Sequence, residues 1–484
     1  MISRNRGCQA AAFGVLAIAA ALISTIAHAS ADALQATPQS TATPEPQPEP
    51  SATPSYASVK PEHFSLHAQA TNTQLYNGFF PAAYSGPMSL AAEPNTAKTF
   101  DLTLYLGARA WKGGEVYVNP ELDQGFGLGQ PTVPYLGTVG VAGYVSGEAY
   151  KVGSYSSYTR IQRAFIRQRF DLHGGGGDGL TIDPDINQLA GSKAPDNVVL
   201  TAGKFAVTDV FDNNVYAHDP KHDFLNWSII DMGSFDYAAD AFGYTYGISA
   251  ELTQAQSTIR FGLFQLSKEP NVIAIESIPF DQYSPILEYE QRTSFFGGHP
   301  GAIKGLVYAD IGYMGTYANA VSAVQGTGLP PSTADVRNNK HTKVGGGINI
   351  AQEVVSNVGV FARLSAMNGT YEAFDFTDID RSLSTGLSID GHLYHRPNDS
   401  FGLAGAFNAI SLPARQYFGA GGLGILVGDG ALSYGGERIL ETYYTLGVTR
   451  YFGFTFDYQY ITNPGYNIVR GPASVFALRY HAQF

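Results

Sequence analysis

Val475-Phe476-Ala477-Leu478-Arg479-Tyr480-His481-Ala482-Gln483-Phe484 carries the rhythm that decides the fold. Phe476, Leu478, Tyr480, Ala482 and Phe484 share one parity, and Arg479, His481 and Gln483 the other. Successive side chains of a strand point to opposite faces, so the segment has one oily and one wet side. Segment 452–463, just upstream, does the same, with Phe452, Phe454, Phe456, Tyr458 and Tyr460 against Thr455, Asp457 and Gln459. In 98–109, Phe100, Leu102, Leu104 and Leu106 oppose Asp101, Thr103, Tyr105 and Arg109. In 301–315, Ile303, Val307, Ile311 and Tyr313 oppose Lys304, Tyr308 and Asp310.

Working outward, the alternation marks 63–76, 98–109, 113–122, 160–172, 198–207, 243–252, 257–267 and 285–292. It continues through 301–315, 342–355, 357–369, 378–391, 399–411, 437–451, 452–463 and 475–484, sixteen segments in all. Beyond the N-terminal leader, no window approaches the roughly 20 apolar residues of a membrane helix. Lipid then admits the chain only as a closed barrel, where every backbone polar group finds a partner. An even strand number and nearly alternating long and short connections fit that architecture. The expected fold is all-β, a transmembrane antiparallel β-barrel of 16 strands, with one long external loop folded into the lumen. The connection 173–197, with Gly174-Gly175-Gly176-Gly177 and Asp183-Pro184-Asp185, is long on the side that should be short. It is either an insertion or conceals further strands, which would make 18.

Composition agrees. Charged residues are 14% and aromatic residues 13%, with 30 Tyr, 29 Phe and 55 Gly among 484 residues. So few charges and so many aromatics exclude a disordered chain. A net charge of −12 without a Lys/Arg cluster excludes a nucleic-acid track. Residues 1–29 have the form of an export signal: Arg4 and Arg6, an apolar run from Ala10 to Ile26, then Ala27-His28-Ala29. The only cysteine, Cys8, lies within it. Residues 30–62, rich in Pro, Ala and Thr, are expected to form a disordered tether, leaving 63–484 as the barrel.

If one parity faces lipid, the other faces enclosed water. Arg163, Arg167 and Arg169 then form a ladder on one wall, beside Glu115, Tyr117, Asn119 and Glu121. Further round come Glu288, Glu290, Arg292, Arg260, Glu251, Arg363, Lys343, Glu353, Glu437, Glu441 and Asp457. Acids and bases are mixed, whereas an anion filter would show an excess of Lys and Arg. That mixture suits uncharged solutes with many donors and acceptors.

Connection 208–242 follows the fifth strand. It interleaves Asp212, Asn213, Asn214, Asp219, Asp223, Asn226 and Asp231 with Phe211, Tyr216, Phe224, Trp227 and Tyr237. Acceptors bind sugar hydroxyls and aromatic rings pack on pyranose C–H faces. An ordinary capping loop with Asx turns, or a calcium loop, is the alternative, although the twelve-residue calcium spacing is absent. No Walker loop, Gly-x-Ser-x-Gly or His-Glu-x-x-His is present, and His218 and His222 lie in an aperiodic loop. No enzyme activity, metal or cofactor is expected.

Several stretches, in order, resemble the carbohydrate-selective porins of the OprB family: Trp111-Lys112-Gly113-Gly114-Glu115, Gly125-Phe126-Gly127 and Arg163-Ala164-Phe165-Ile166-Arg167-Gln168. Others are Gly203-Lys204-Phe205, Asp212-Asn213-Asn214, Tyr216-Ala217-His218-Asp219-Pro220 and Phe224-Leu225-Asn226-Trp227. The pattern closes with Glu437-Arg438-Ile439-Leu440-Glu441-Thr442-Tyr443-Tyr444, Asp457-Tyr458-Gln459-Tyr460-Ile461 and Asn463-Pro464-Gly465. The resemblance implies an outer-membrane channel for facilitated diffusion of glucose and related monosaccharides, with arginine and acidic residues at its constriction. The candidate path residues are Arg163, Arg167, Arg169, Glu115, Trp111, Tyr117, Asp212, Asn213, Trp227 and Arg363. Expected partners are carbohydrates, outer-membrane lipid and the barrel-assembly machinery through Phe484, for a monomer or homotrimer. The competing readings are a general diffusion porin and a barrel enzyme acting on lipid or glycan.

Overall fold

The structure is a computed structural model that describes residues 60–129, 139–149, 153–172, 180–375 and 377–484; the leader and the tether up to residue 59 lie outside these. The strands are β1 (Phe64–Asn77), β2 (Asn95–Trp111), β3 (Gly114–Phe126), β4 (Ser154–Asp171), β5 (Leu180–Ile182) and β6 (Gly191–Lys193). Next come β7 (Asn197–Phe205), β8 (Thr245–Gln254), β9 (Ser257–Gln265), β10 (Tyr283–Thr293), β11 (Gly301–Tyr313) and β12 (Lys340–Val355). The last are β13 (Val358–Met367), β14 (Arg381–Asp390), β15 (Ser400–Ala409), β16 (Glu437–Thr449), β17 (Phe452–Thr462) and β18 (Ala473–Gln483).

All but β5 and β6 close into one barrel of sixteen strands, with β18 returning to β1 so that Tyr76 faces Phe476. At the seam Ala68 and Phe484 exchange backbone hydrogen bonds of 3.1 and 2.9 Å. Each of the sixteen alternating segments coincides with a barrel strand. The described part of this connection, 180–196, is an insertion: β5 and β6 pair only with each other and add nothing to the barrel.

The alternation dictates which way each side chain points. Leu102, Leu104 and Leu106 lie on the outer surface, whereas Asp101, Thr103 and Tyr105 are buried inside. The register shifts at several β-bulges, two of which bear on the candidate residues. Pro120 has no N–H to give the ladder, and opposite it β4 carries one extra residue, with Asn119 facing Arg163 and Pro120 facing Ile161. As a result Gln162 and Arg163 both turn inward, and so does Arg160, which reaches Glu121 and Asp123 at 2.7 Å. A second register shift, between Arg109 and Trp111, reverses the parity at the end of β2.

The turns at 112–113, 255–256, 356–357 and 450–451 are short and leave from one rim, where the chain also enters β1 and leaves β18. The opposite rim carries the long loops, including 206–244 between β7 and β8. This loop is the interior of the molecule. Phe211, Phe224, Leu225, Ile229, Met232 and Phe235 are fully or almost fully buried. Phe224 meets Tyr443 of β16 at 4.9 Å, Phe235 meets Tyr308 of β11 at 5.1 Å, and Phe211 meets Phe264 of β9 at 6.0 Å. The apolar side chains drive the loop inward by the same area-burial effect that builds a soluble core.

Candidate functional site

Once folded inward, the loop brings many backbone groups into an interior with little water, and the charged wall satisfies them. Arg363 of β13 gives 2.8 Å hydrogen bonds to the carbonyls of Ala217 and Ile229 and reaches Asp212 Oδ1 at 3.1 Å. Asn349 of β12 donates to the same carboxylate at 2.6 Å, and Glu288 of β10 accepts from the Asp212 N–H at 2.8 Å. Glu441 of β16 accepts from the backbone of Leu225 and Asn226, and Gln459 of β17 from the Asn226 side chain at 3.0 Å. Lys343 of β12 pairs with Asp236 at 2.9 Å, both wholly buried. Arg479 of β18 donates to the Pro220 and Asp223 carbonyls. These wall charges, expected to face open water, are instead fasteners for the loop.

The space the loop leaves lies against β1, β2 and β4. It is a cavity of about 530 Å³, within the range of small-molecule sites. Gln69, Tyr105, Gln162, Arg163 and Arg167 supply its wall; Asn213, His218, Asp219, Lys221, Trp227 and Asp231 supply the loop side; and Tyr144 and Glu148 come from the 139–149 segment. Opposite charges face one another throughout. Arg163 grips Asp209 through two hydrogen bonds of 2.7 Å, the planar bidentate geometry a guanidinium favours, and lies 5.0 Å from the Tyr244 ring. Lys221 reaches across from the loop to Glu148 at 3.1 Å and to Asp101. Trp227 stacks on Tyr144 with centroids 5.2 Å apart, giving a flat apolar surface beside these charges.

His218 Nδ1 lies 3.0 Å from Asp231. Burial works against its charged form, but Asp231 outweighs burial and holds the pKa above the ordinary histidine value. The cation is therefore present below that raised value and lost as pH rises through it. In bilayer recordings under a salt gradient, cation preference is expected to increase as pH rises past that point, and His218→Asn to abolish the step. A reversal potential independent of pH in the native channel would contradict this assignment.

The structure gathers Arg163, Arg167, Asn213 and Trp227 around the cavity and places the other sequence candidates elsewhere. Asp212 and Arg363 are buried in the clasp between loop and wall. Glu115 is taken up by Arg109 at 3.4 Å and by the Tyr117 hydroxyl at 2.9 Å. Arg169 stands farther down β4, toward the short-turn rim. Trp111, shifted by the bulge at the end of β2, is half-exposed, and its indole N–H donates to Gln168 at 2.6 Å. The sequence reading did not select Asp209, Lys221, Glu148 or Tyr144. Asp209 and Lys221 lie in or beside stretches already marked for acceptors, but nothing local names their partners across the lumen.

A closed sixteen-stranded barrel, oily outside and narrowed by an inward loop, is the architecture of outer-membrane porins. The chain belongs to the OprB family of carbohydrate-selective porins, whose profile matches residues 88–484. The high-pH structure of OprB from Pseudomonas putida superposes with a TM-score of 0.64 at 14% identity, over 87% of this chain and 94% of that one. The porin AaxA of Chlamydia muridarum is 29% identical over 136 residues, 28% of this chain. That match spans only 25% of the relative's length.

Proposed function

We propose that the cavity between the inward loop and the wall of β1, β2 and β4 is a passage for facilitated diffusion of neutral monosaccharides such as glucose. The supporting observation is the pairing of donors and acceptors beside an aromatic plate. Arg163 with Asp209 and Lys221 with Glu148 and Asp101 leave little net charge, so an ion gains little by entering. A polyol can accept from guanidinium or ammonium groups, donate to carboxylates and lay its C–H face on Tyr144 and Trp227. Arg167 gives one hydrogen bond to the Asn187 carbonyl and keeps further N–H groups for solute. Contacts spread along the passage bind weakly enough to release, as conduction requires.

Liposome swelling with glucose, arabinose and a charged solute of similar size tests the reading. Sugars are expected to enter well ahead of the charged solute; equal rates would leave a general diffusion porin. We also read residues 1–29 as a cleaved leader and 30–62 as a disordered tether. N-terminal sequencing of the outer-membrane protein should find the chain beginning at Ser30. Phe484 is read as the signal to the assembly machinery, and lipid as the surround of the outer face.

A further inference from the structure

The connection between β4 and β7 leaves from the rim where the other described connections are short, yet its described part does not hang below that rim. β5 and β6 pair Ile182 with Gly191, and the tip between them, 183–190, turns up into the barrel. Asn187 and Asn119 of β3 exchange side-chain amide hydrogen bonds of 2.9 and 3.1 Å. The Tyr117 hydroxyl accepts from Leu189 N–H at 3.2 Å, Arg167 donates to the Asn187 carbonyl at 2.9 Å, and Arg109 to the Ala190 carbonyl at 3.2 Å. Glu62 accepts from the Ala190 N–H at 2.9 Å.

Four strand residues and one residue before β1 thus hold the tip, and Leu189 and Ala190 within it are buried. Asn187 sits at φ 53°, a left-handed conformation that asparagine tolerates better than most residues. Arg167 lies four positions before the strand end at Asp171, so at ~3.3 Å per residue the tip reaches roughly 13 Å along the strand from the rim. There Asp185, Ile186, Asn187 and Gln188 line the same cavity as Arg163 and Lys221, from the opposite side to the inward loop.

We propose that this tip is a second constriction, on the periplasmic side of the loop-made passage, and that Asn187 and Gln188 set the size limit for solute leaving the channel. Glu115 and Tyr117 act through it as positioning residues, one holding Arg109 and the other Leu189. The assignment needs only that the barrel conducts, not that it selects sugars.

The test records the purified full-length barrel in planar bilayers. The variant replaces 183–190 with an Asn-Gly turn, which preserves the Ile182–Gly191 pairing. Conductance is expected to rise on the order of twofold, because the removed tip narrows the ion path. Swelling rates for disaccharides should rise more than those for monosaccharides. If that variant does not assemble, Asn187→Cys in a Cys8→Ser background supplies a second reading. A thiol reagent added from the periplasmic side should then reduce the current, and a larger reagent should reduce it further. Unchanged conductance on shortening, or thiol modification without effect on current, overturns the proposal. Loss of sugar selectivity with these results intact would instead overturn the sugar reading alone.

Discussion

Alanine at position 363 is expected to open the channel. Arg363 is almost wholly buried and holds Asp212, itself inaccessible to water, together with the carbonyls of Ala217 and Ile229. Removing one partner of such a pair leaves an uncompensated buried carboxylate, a loss of about 3–5 kcal/mol. The barrel ladder does not depend on this side chain, so the cost falls on the seating of the 206–244 loop. The loop then samples undocked states, and Arg363→Ala should show larger, noisier single-channel currents and weaker discrimination between mono- and disaccharides. Arg363→Ala with Asp212→Asn should recover part of the native behaviour, because the stranded charge is gone. Conductance and noise equal to the native channel would show that the clasp is dispensable.

Lys221→Met should change ion preference more than any other single substitution at the passage. Burial opposes the ammonium, but Asp101 and Glu148 beside it hold its pKa well above the ordinary lysine value, so it is charged at working pH. With methionine there, Glu148 lines the cavity and Asp101 lies behind it without their shared cation. The cation-to-anion permeability ratio, read from the reversal potential in a salt gradient, should rise on the order of tenfold, since charges act strongly in a narrow low-dielectric passage. Sugar-dependent block of the current should weaken in parallel. An unchanged ratio would mean that the ion path bypasses Lys221.

The strands were legible because each carries a two-residue rhythm that lipid on one side and protein or water on the other both enforce. Bulges erase that rhythm locally. Pro120, which cannot donate to the ladder, marks one in the sequence; the shift at Trp111 leaves no such letter. The inward-facing charges were legible as inward, but not their tasks. Arg363, Glu441 and Arg479 bind backbone carbonyls and amides of a distant loop, and backbone atoms are the same at every position. The aromatic residues of that loop have a second task that the sugar reading does not express. Phe211 and Phe224, expected to meet sugar, pack with Phe235 against rings of the inner wall instead.

Many fasteners of the 206–244 loop, from Glu288 to Arg479, come from strands made after it. Arg163, Asp101, Tyr144 and Glu148 precede the loop and can engage it early, but its seating is incomplete until the last strands exist. Docking of the loop and joining of β18 to β1 thus belong to one late step of biogenesis, and the pore acquires its narrow bore only as the cylinder seals. An unsealed intermediate would carry the loop's greasy side chains uncovered, a natural target for the periplasmic chaperones that guard unfinished barrels.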